Sequence, residues 1–456
     1  MYNYIISYWD WLLAPFYLLA IYIVASFIKN RNIKRNPIYK FFIWGLFAKI
    51  VGAISLCLIY VYYYEKGGDT FSYHSTSVVF VNLLLESPLS FLKVLFFGAT
   101  PENYYFFNST TGYPYFWTDH QAFNVSRFDA VLELFAFKSY LVASILMAVV
   151  SFSGIWKLYC LFCELFPSLY RYFSFSILFI PSLIFWGSGL LKDSWTLSAA
   201  CWFCVSFYRI FLQRKNIVFS LLAMLVSAFI LIAIKPYIFI GMLPGCLLWM
   251  VWSRMARINN FFVRILAGPF VVAIGISIGV FVWINISSNL GEYSSLDNML
   301  KKANVASEDL KQGYYQGNSF DLGKFDPTIS GVLSKFPIAT IAGLFRPFLW
   351  ETKNIVMLLS GIENLALLIF FLYCILKNPL SFFKLTLSNP LVLFCLSFAV
   401  IFAFSVAVST SNFGALVRLR IPMLPFLVSG LIVIYFNNKA GAEYLQESAP
   451  ENGVGK

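Results

Sequence analysis

Apolar residues in this chain gather into runs of about 20, long enough to cross a bilayer as helices. The runs are Trp9 to Ile28, Phe41 to Tyr64, Ser139 to Phe162, Phe173 to Leu190, Trp195 to Leu212, Ile217 to Ile234, Ile238 to Trp252, Phe262 to Ile284, Ile355 to Leu376, Pro390 to Val408 and Ile421 to Phe436. They predict an all-α, polytopic membrane protein of about eleven transmembrane helices. Residues 1–436 read as one integral membrane domain, and the polar stretch 437–456 as a short, disordered cytoplasmic tail.

Charge sets the expected orientation. The stretch KNRNIKRNPIYK between the first two runs carries Lys29, Arg31, Lys34, Arg35 and Lys40, and a short basic connection of this kind marks the cytoplasmic side. Alternation from there puts the amino terminus outside and the carboxyl terminus inside. Arg171, Arg209, Arg214, Lys215, Arg254, Arg257, Arg264, Lys377 and Lys384 then fall on cytoplasmic connections. The short external hairpins hold Lys192, Lys235, Arg418 and Arg420. Two external loops are large, about 65–138 and 285–354. The first contains VVFVNLLLESPLSFLKVLFFGA, broken by Glu86, Pro88 and Lys93, and the second ends in PIATIAGLFRPFLWE. Both segments suit interfacial or re-entrant helices better than spans.

Composition agrees with this reading. The chain is 60% hydrophobic, 20% aromatic and 12% charged, which excludes a water-soluble globular enzyme and an intrinsically disordered chain. Its net charge of +12 is scattered between apolar runs, with no stripe interleaved with stacking rings, so nucleic acid is not the expected partner. The opening MYNYIISYWD has no basic residue before its apolar stretch, so the first span is expected to be retained. All eight cysteines lie in apolar runs, where structural disulfides are not expected, and the two C-x-x-C pairs lack further ligands at metal spacing.

The candidate chemistry lies at the external ends of spans. GGDTFSYH places Asp69 after the second run, with Tyr73 and His74 one helical turn on. A carboxylate there is a candidate base for an acceptor hydroxyl, or simply a helix cap. PSLIFWGSGLLKDSW delivers Lys192 and Asp193, KPY delivers Lys235, FRPFLWE carries Arg346 and Glu351, and STSNFGALVRLRIPMLPF carries Arg418 and Arg420. Ammonium and guanidinium groups at headgroup depth suit a phosphate or diphosphate. The aromatic loop ENYYFFNSTTGYPYFWTDHQAF offers rings for stacking on sugars, or for anchoring at the interface. Carboxylate and imidazole are suitable ligands for a divalent cation, so Asp119 and His120 could join Asp69 and His74 around one, although the spacing is no recognised metal signature. Lys49 and Glu363, inside spans, read as helix-to-helix polar contacts.

These residues resemble a known family. An acidic residue just after an early span, followed by a large first external loop and the PSLIFWGSGLLKDS hairpin, looks like the GT-C-type integral membrane glycosyltransferases. NFGALVRLRIPMLPF is similar to a stretch of polysaccharide polymerase-like membrane proteins. The resemblance implies a donor sugar on a polyprenyl phosphate, with Asp69 as candidate base and Lys192 and Asp193 as a weaker match. The chain lacks the large soluble carboxyl-terminal domain of many relatives that modify polypeptides. A glycan or lipid acceptor is therefore the expectation.

The expected function is glycosyl transfer from a polyprenyl-phosphate carrier on the outer face of the bacterial cytoplasmic membrane. Asp69, His74 and Asp193 would be catalytic. Lys192, Lys235, Arg346, Glu351, Arg418, Arg420, Tyr73, Asp119 and His120 would bind substrate. The rivals are a polysaccharide polymerase or ligase acting on lipid-diphosphate-linked repeats, a transporter of lipid-linked glycans, and a non-catalytic subunit of an envelope complex.

Overall fold

A computed structural model describes residues 6–63, 68–255, 305, 309, 319–323 and 328–436. Among them the fold is helical, with one isolated bridge between Ser319 and Asn412 and no strand. The helices that matter here are α1 Tyr8–Ile33, α2 Pro37–Tyr63, α3 Gly68–Glu86, α4 Pro88–Phe97, α5 His120–Phe135, α6 Tyr140–Leu165, α7 Pro181–Trp186, α8 Lys192–Gln213, α9 Ile217–Ile234, α10 Pro236–Met255, α11 Phe336–Phe345, α12 Ile355–Lys377, α13 Pro390–Ser409 and α14 Phe413–Tyr435. Nine of those described, α1, α2, α6, α8, α9, α10, α12, α13 and α14, are long and apolar enough to cross a membrane. The chain is thus a multi-pass membrane protein.

The helix ends follow local chemistry. Ser7 and Asp10 form a reciprocal capping box at the start of α1. Asp119 caps α5 by accepting from the Gln121 and Ala122 amides, each at 3.0 Å, and Asn354 caps α12 by accepting from the Met357 amide at 2.9 Å. Arg214, in the left-handed conformation at φ 57°, closes α8.

Two of the eleven expected spans are not among the nine. Phe262 to Ile284 lies outside the described residues. Phe173 to Leu190 is broken: a wide helical turn over Ser174–Leu178 gives way to extended backbone at Ile180, and α7 restarts at Pro181. Proline has no amide hydrogen to continue a helix and pushes the preceding residue out of the helical region, which is the local cause. The carbonyls at the far end of α7 find donors. Lys49 Nζ, from the middle of α2, donates to the Leu183 and Gly187 carbonyls at 2.8 and 2.7 Å, and Ser151 Oγ donates to Gly187 at 2.5 Å. The backbone comes this close because Gly52 faces the Ile184 carbonyl, where any Cβ would overlap it.

The chain divides into two compact units. The first comprises Met1–Leu158, Leu178–Phe203 and Ala223–Lys235. The stretch expected as the first external loop contributes α3, α4 and α5 to this unit. They close on a core of Phe80, Val81, Leu83, Phe91, Val94, Phe107, Phe123 and Ala130. The second unit comprises Tyr159–Ile177, Cys204–Leu222 and Pro236–Lys456. Within it α13 packs against α10, α11 and α14. Gly343 of α11 sits so near the Ala403 carbonyl of α13 that a side chain would not fit. None of the eight cysteines forms a disulfide.

Candidate functional site

Within the first unit, packing gathers sequence-distant charged residues. One buried apolar cluster contains Leu56 and Tyr60 of α2, Tyr73 of α3, Ala122 and Val125 of α5, Leu191 before α8 and Ile234 at the end of α9. Four of these are near neighbours in sequence of a polar candidate: His74 follows Tyr73, Asp119 caps the helix that holds Ala122, Lys192 follows Leu191 and Lys235 follows Ile234. Asn124 of α5 also donates to the Ala233 carbonyl at 2.8 Å, which ties α5 to the last turn of α9. The cluster therefore forms a junction at the end of α2, the start of α8 and the end of α9.

Two ion pairs lie at this junction. Lys192 Nζ stands 3.2 Å from Asp119 Oδ2, and the Asp119 side chain is 50% exposed. Burial works to raise the Asp119 pKa, but the Lys192 charge and the helix-capping amides outweigh it and hold the carboxyl below the ordinary carboxylate range. The second pair is buried: Lys235 Nζ lies 2.5 Å from Asp193 Oδ1, with Asp193 fully inaccessible. Ser194 stabilises the preceding turn by donating its hydroxyl to the Gly189 carbonyl at 2.6 Å.

A third group sits between α3 and α5. His74 Nδ1 is 2.6 Å from Glu133 Oε1, and the Glu133 side chain is fully buried. Four residues before Glu133 on the same face of α5, Asp129 accepts from Trp195 Nε1 at 2.8 Å. Asp129 Oδ2, Glu133 Oε2 and Ser126 Oγ are buried with no hydrogen-bond partner among the described residues. Burial pushes the Asp129 carboxyl well above its usual value, against the Trp195 bond and with help from the Glu133 charge. Burial also raises Glu133, partly offset by His74. Burial alone would lower His74, but the adjacent Glu133 carboxylate prevails and raises it.

The other candidates are distributed as follows. Asp69 is exposed in the first turn of α3, and His120 is exposed at the start of α5. Tyr73 is buried, its ring 5.0 Å from Phe116. No group of three or more His, Cys, Asp or Glu able to hold a metal ion occurs among the described residues. Arg346, Glu351, Arg418 and Arg420 belong to the second unit. There Glu351 grips Arg346 with both oxygens, at 2.9 and 3.1 Å from Nε and in a further bond to Nη2. The guanidinium lies 4.9 Å from the Phe320 ring and 5.3 Å from Phe413. Arg420 is fully buried and donates to the Leu344 and Arg346 carbonyls, each at 3.1 Å, and to Asn364. It thereby caps the end of α11, as a structural cation would. Arg418 is half-buried in α14.

Asp129, Glu133 and Trp195 were not among the sequence candidates. The signal was present in FNVSRFDAVLELF, where Ser126, Asp129 and Glu133 recur at helical spacing on one face. Comparison with protein-family models, curated proteins and solved structures finds no match for this chain.

Proposed function

We propose that the chain is an integral membrane glycosyltransferase of the bacterial cytoplasmic membrane. It would move a sugar or oligosaccharide from a polyprenyl-phosphate carrier to a glycan or lipid acceptor on the outer face. The observation that carries this reading is the junction of the first unit, where Lys192, Asp193 and Lys235 stand at the ends of membrane-spanning helices and Asp119 pairs with Lys192. A lipid-linked phosphate has its chain in the bilayer and its head at such a depth. Lys192 is the cation for that head: its partner Asp119 is half-exposed, such pairs are weak, and a phosphate dianion displaces a carboxylate from an ammonium. Lys235, paired with Asp193, is buried at the same junction. The outward orientation rests on the distribution of Lys and Arg, and the full count of eleven spans on the apolar run at 262–284 and on the broken segment.

The test is direct. Protein purified in nanodiscs is analysed by mass spectrometry for retained lipid, then given a polyprenyl-phosphate hexose with a membrane lipid extract as acceptor source. Retained polyprenyl phosphate and release of the carrier on transfer are expected. Absence of both rejects the reading. One added sugar marks a transferase, and a ladder of lengths marks a polymerase or ligase.

A second reading, transport of a lipid-linked glycan, is favoured by one observation. The broken segment before α8, with Lys49 on its carbonyls, is the kind of discontinuous helix that transporters place inside the membrane. Movement of an intact lipid-linked glycan across proteoliposomes, with no glycosidic bond made, would select it.

A further inference from the structure

His74 is anchored at one ring nitrogen and unengaged at the other. Nδ1 faces the buried Glu133 carboxylate at 2.6 Å, whereas Nε2 makes no hydrogen bond to any described residue. The side chain keeps 13% of its surface, and its ring centre lies 5.6 Å from Phe71 and 5.2 Å from Tyr140, which limit its rotation. A carboxylate against Nδ1 holds the proton there and leaves the Nε2 lone pair available, which is how an oriented imidazole base is presented.

The surroundings favour a proton arriving at Nε2. The charged and titratable groups that act on His74 are Glu133 from α5 and Asp10 from the start of α1, with Tyr140 from the start of α6 in ring contact. Of these, the Glu133 carboxyl stands directly against the ring. Asp10 is itself fixed by the Ser139 hydroxyl at 2.5 Å and the Leu141 amide at 3.2 Å. Ser126, Asp129 and Glu133 share one face of α5, and each leaves one oxygen buried without a hydrogen-bond partner among the described residues. Buried oxygens without donors stabilise an imidazolium more than they stabilise a neutral ring.

We propose that His74 Nε2 is the proton acceptor of the transfer reaction and that Glu133 is the residue that positions it. This rests on the glycosyltransferase reading and departs from the sequence expectation, which gave the role of base to Asp69. In the step, the acceptor oxygen forms a bond to the anomeric carbon of the sugar. The bond from that carbon to the donor phosphate oxygen breaks, and its electron pair leaves with the phosphate. The acceptor's O–H bond breaks as well, and that proton goes to His74 Nε2, from which water or the departing phosphate removes it. Asp69, exposed in the first turn of α3, instead complements the positive end of that helix.

The chain has only two histidines, so ring-labelled histidine gives a readable NMR titration, with His120→Gln assigning the signals. The experiment measures carrier release from a polyprenyl-phosphate hexose between about pH 5 and 9, alongside that titration, in wild type, His74→Gln, Glu133→Gln, Glu133→Asp and Asp69→Asn. His74→Gln should lower turnover on the order of 100-fold, and Asp69→Asn should leave most of it. Glu133→Gln should move both the acidic limb of the rate profile and the His74 titration to lower pH, with Glu133→Asp partly restoring them. Wild-type turnover in His74→Gln, or an acidic limb unmoved in Glu133→Gln whose His74 resonance shows a folded site, overturns this inference and leaves the transferase reading intact. A wild-type protein that releases no carrier overturns that reading first, and the role of His74 with it.

Discussion

The Asp193–Lys235 pair permits a quantitative test that needs no substrate. Its charges stand 2.5 Å apart with Asp193 fully buried and Lys235 almost so. At an effective dielectric of about 20, unit charges at this separation attract by roughly 7 kcal/mol. Removing each ion from water costs several kcal/mol, so the pair as a whole contributes little net stability. Taking away one partner is different, because the desolvation cost of the other remains while the attraction is lost. Asp193→Asn and Lys235→Met should therefore each destabilise the protein by about 3–5 kcal/mol. The double variant should be no worse than either single one, giving a coupling energy of about 3 kcal/mol or more. The assay is thermal unfolding in detergent followed by tryptophan fluorescence, with recovery of monodisperse protein after heating as a second measure. If the two single costs simply add in the double variant, the pair is not the buried, mutually dependent unit described here.

Other consequences follow from the same physics. Gly52→Ala and Gly343→Ala should each lower the melting temperature markedly, since the added methyl meets the Ile184 or Ala403 carbonyl; an unchanged temperature would mean that these helices do not approach so closely. Burial raises the Asp129 carboxyl, so the folded state holds that proton more tightly than the unfolded chain does. The stability this contributes is complete below the ordinary carboxylate range and is lost as pH rises through the higher folded-state value. Asp129→Asn should abolish that loss in melting curves taken across pH, and identical profiles would contradict the assignment. Asp119 has the opposite sign: its lowered pKa contributes above the carboxylate range and fades in acid, so Lys192→Met should make α5 less sensitive to acid by hydrogen exchange. Glu351→Gln should loosen the Arg346 clamp and raise exchange of the Phe348 amide, which donates to Glu351 Oε2 at 2.9 Å; unchanged protection there would show that the clamp does not order this turn.

Much of the architecture was legible in the sequence because spanning a bilayer needs a long unbroken apolar stretch, and the period of such stretches does not depend on what they pack against. Eight of the described helices match runs read from the chain alone within a few residues at each end; the ninth, α14, begins at Phe413 and so takes in Arg418 and Arg420, expected in an external turn before it. The broken span before α8 departed from the pattern although its cause, Pro181, stood in plain view. Hydropathy sums side chains and does not register a missing amide hydrogen. Lys49 shows the converse: its place within a span was evident, but only the fold revealed that it serves the carbonyls which the break leaves at the end of α7.

The site was legible in part. Lys192, Asp193 and Lys235 stood out because charge beside apolar runs is costly, yet their pairing with each other and with Asp119 is a matter of distance in space. Arg420 had the same sequence signature as Lys192, and the structure makes it a cap on backbone carbonyls. Asp129 and Glu133 lay in a stretch expected to be an external loop, where carboxylates normally face water. What buries them is the packing of α3 against α5 with His74 between, a contact between residues 59 positions apart. Composition and periodicity decide that a chain enters a membrane, because those are properties of each segment alone. Which of its charges become partners depends on long-range packing, and that is settled only when the helices come together.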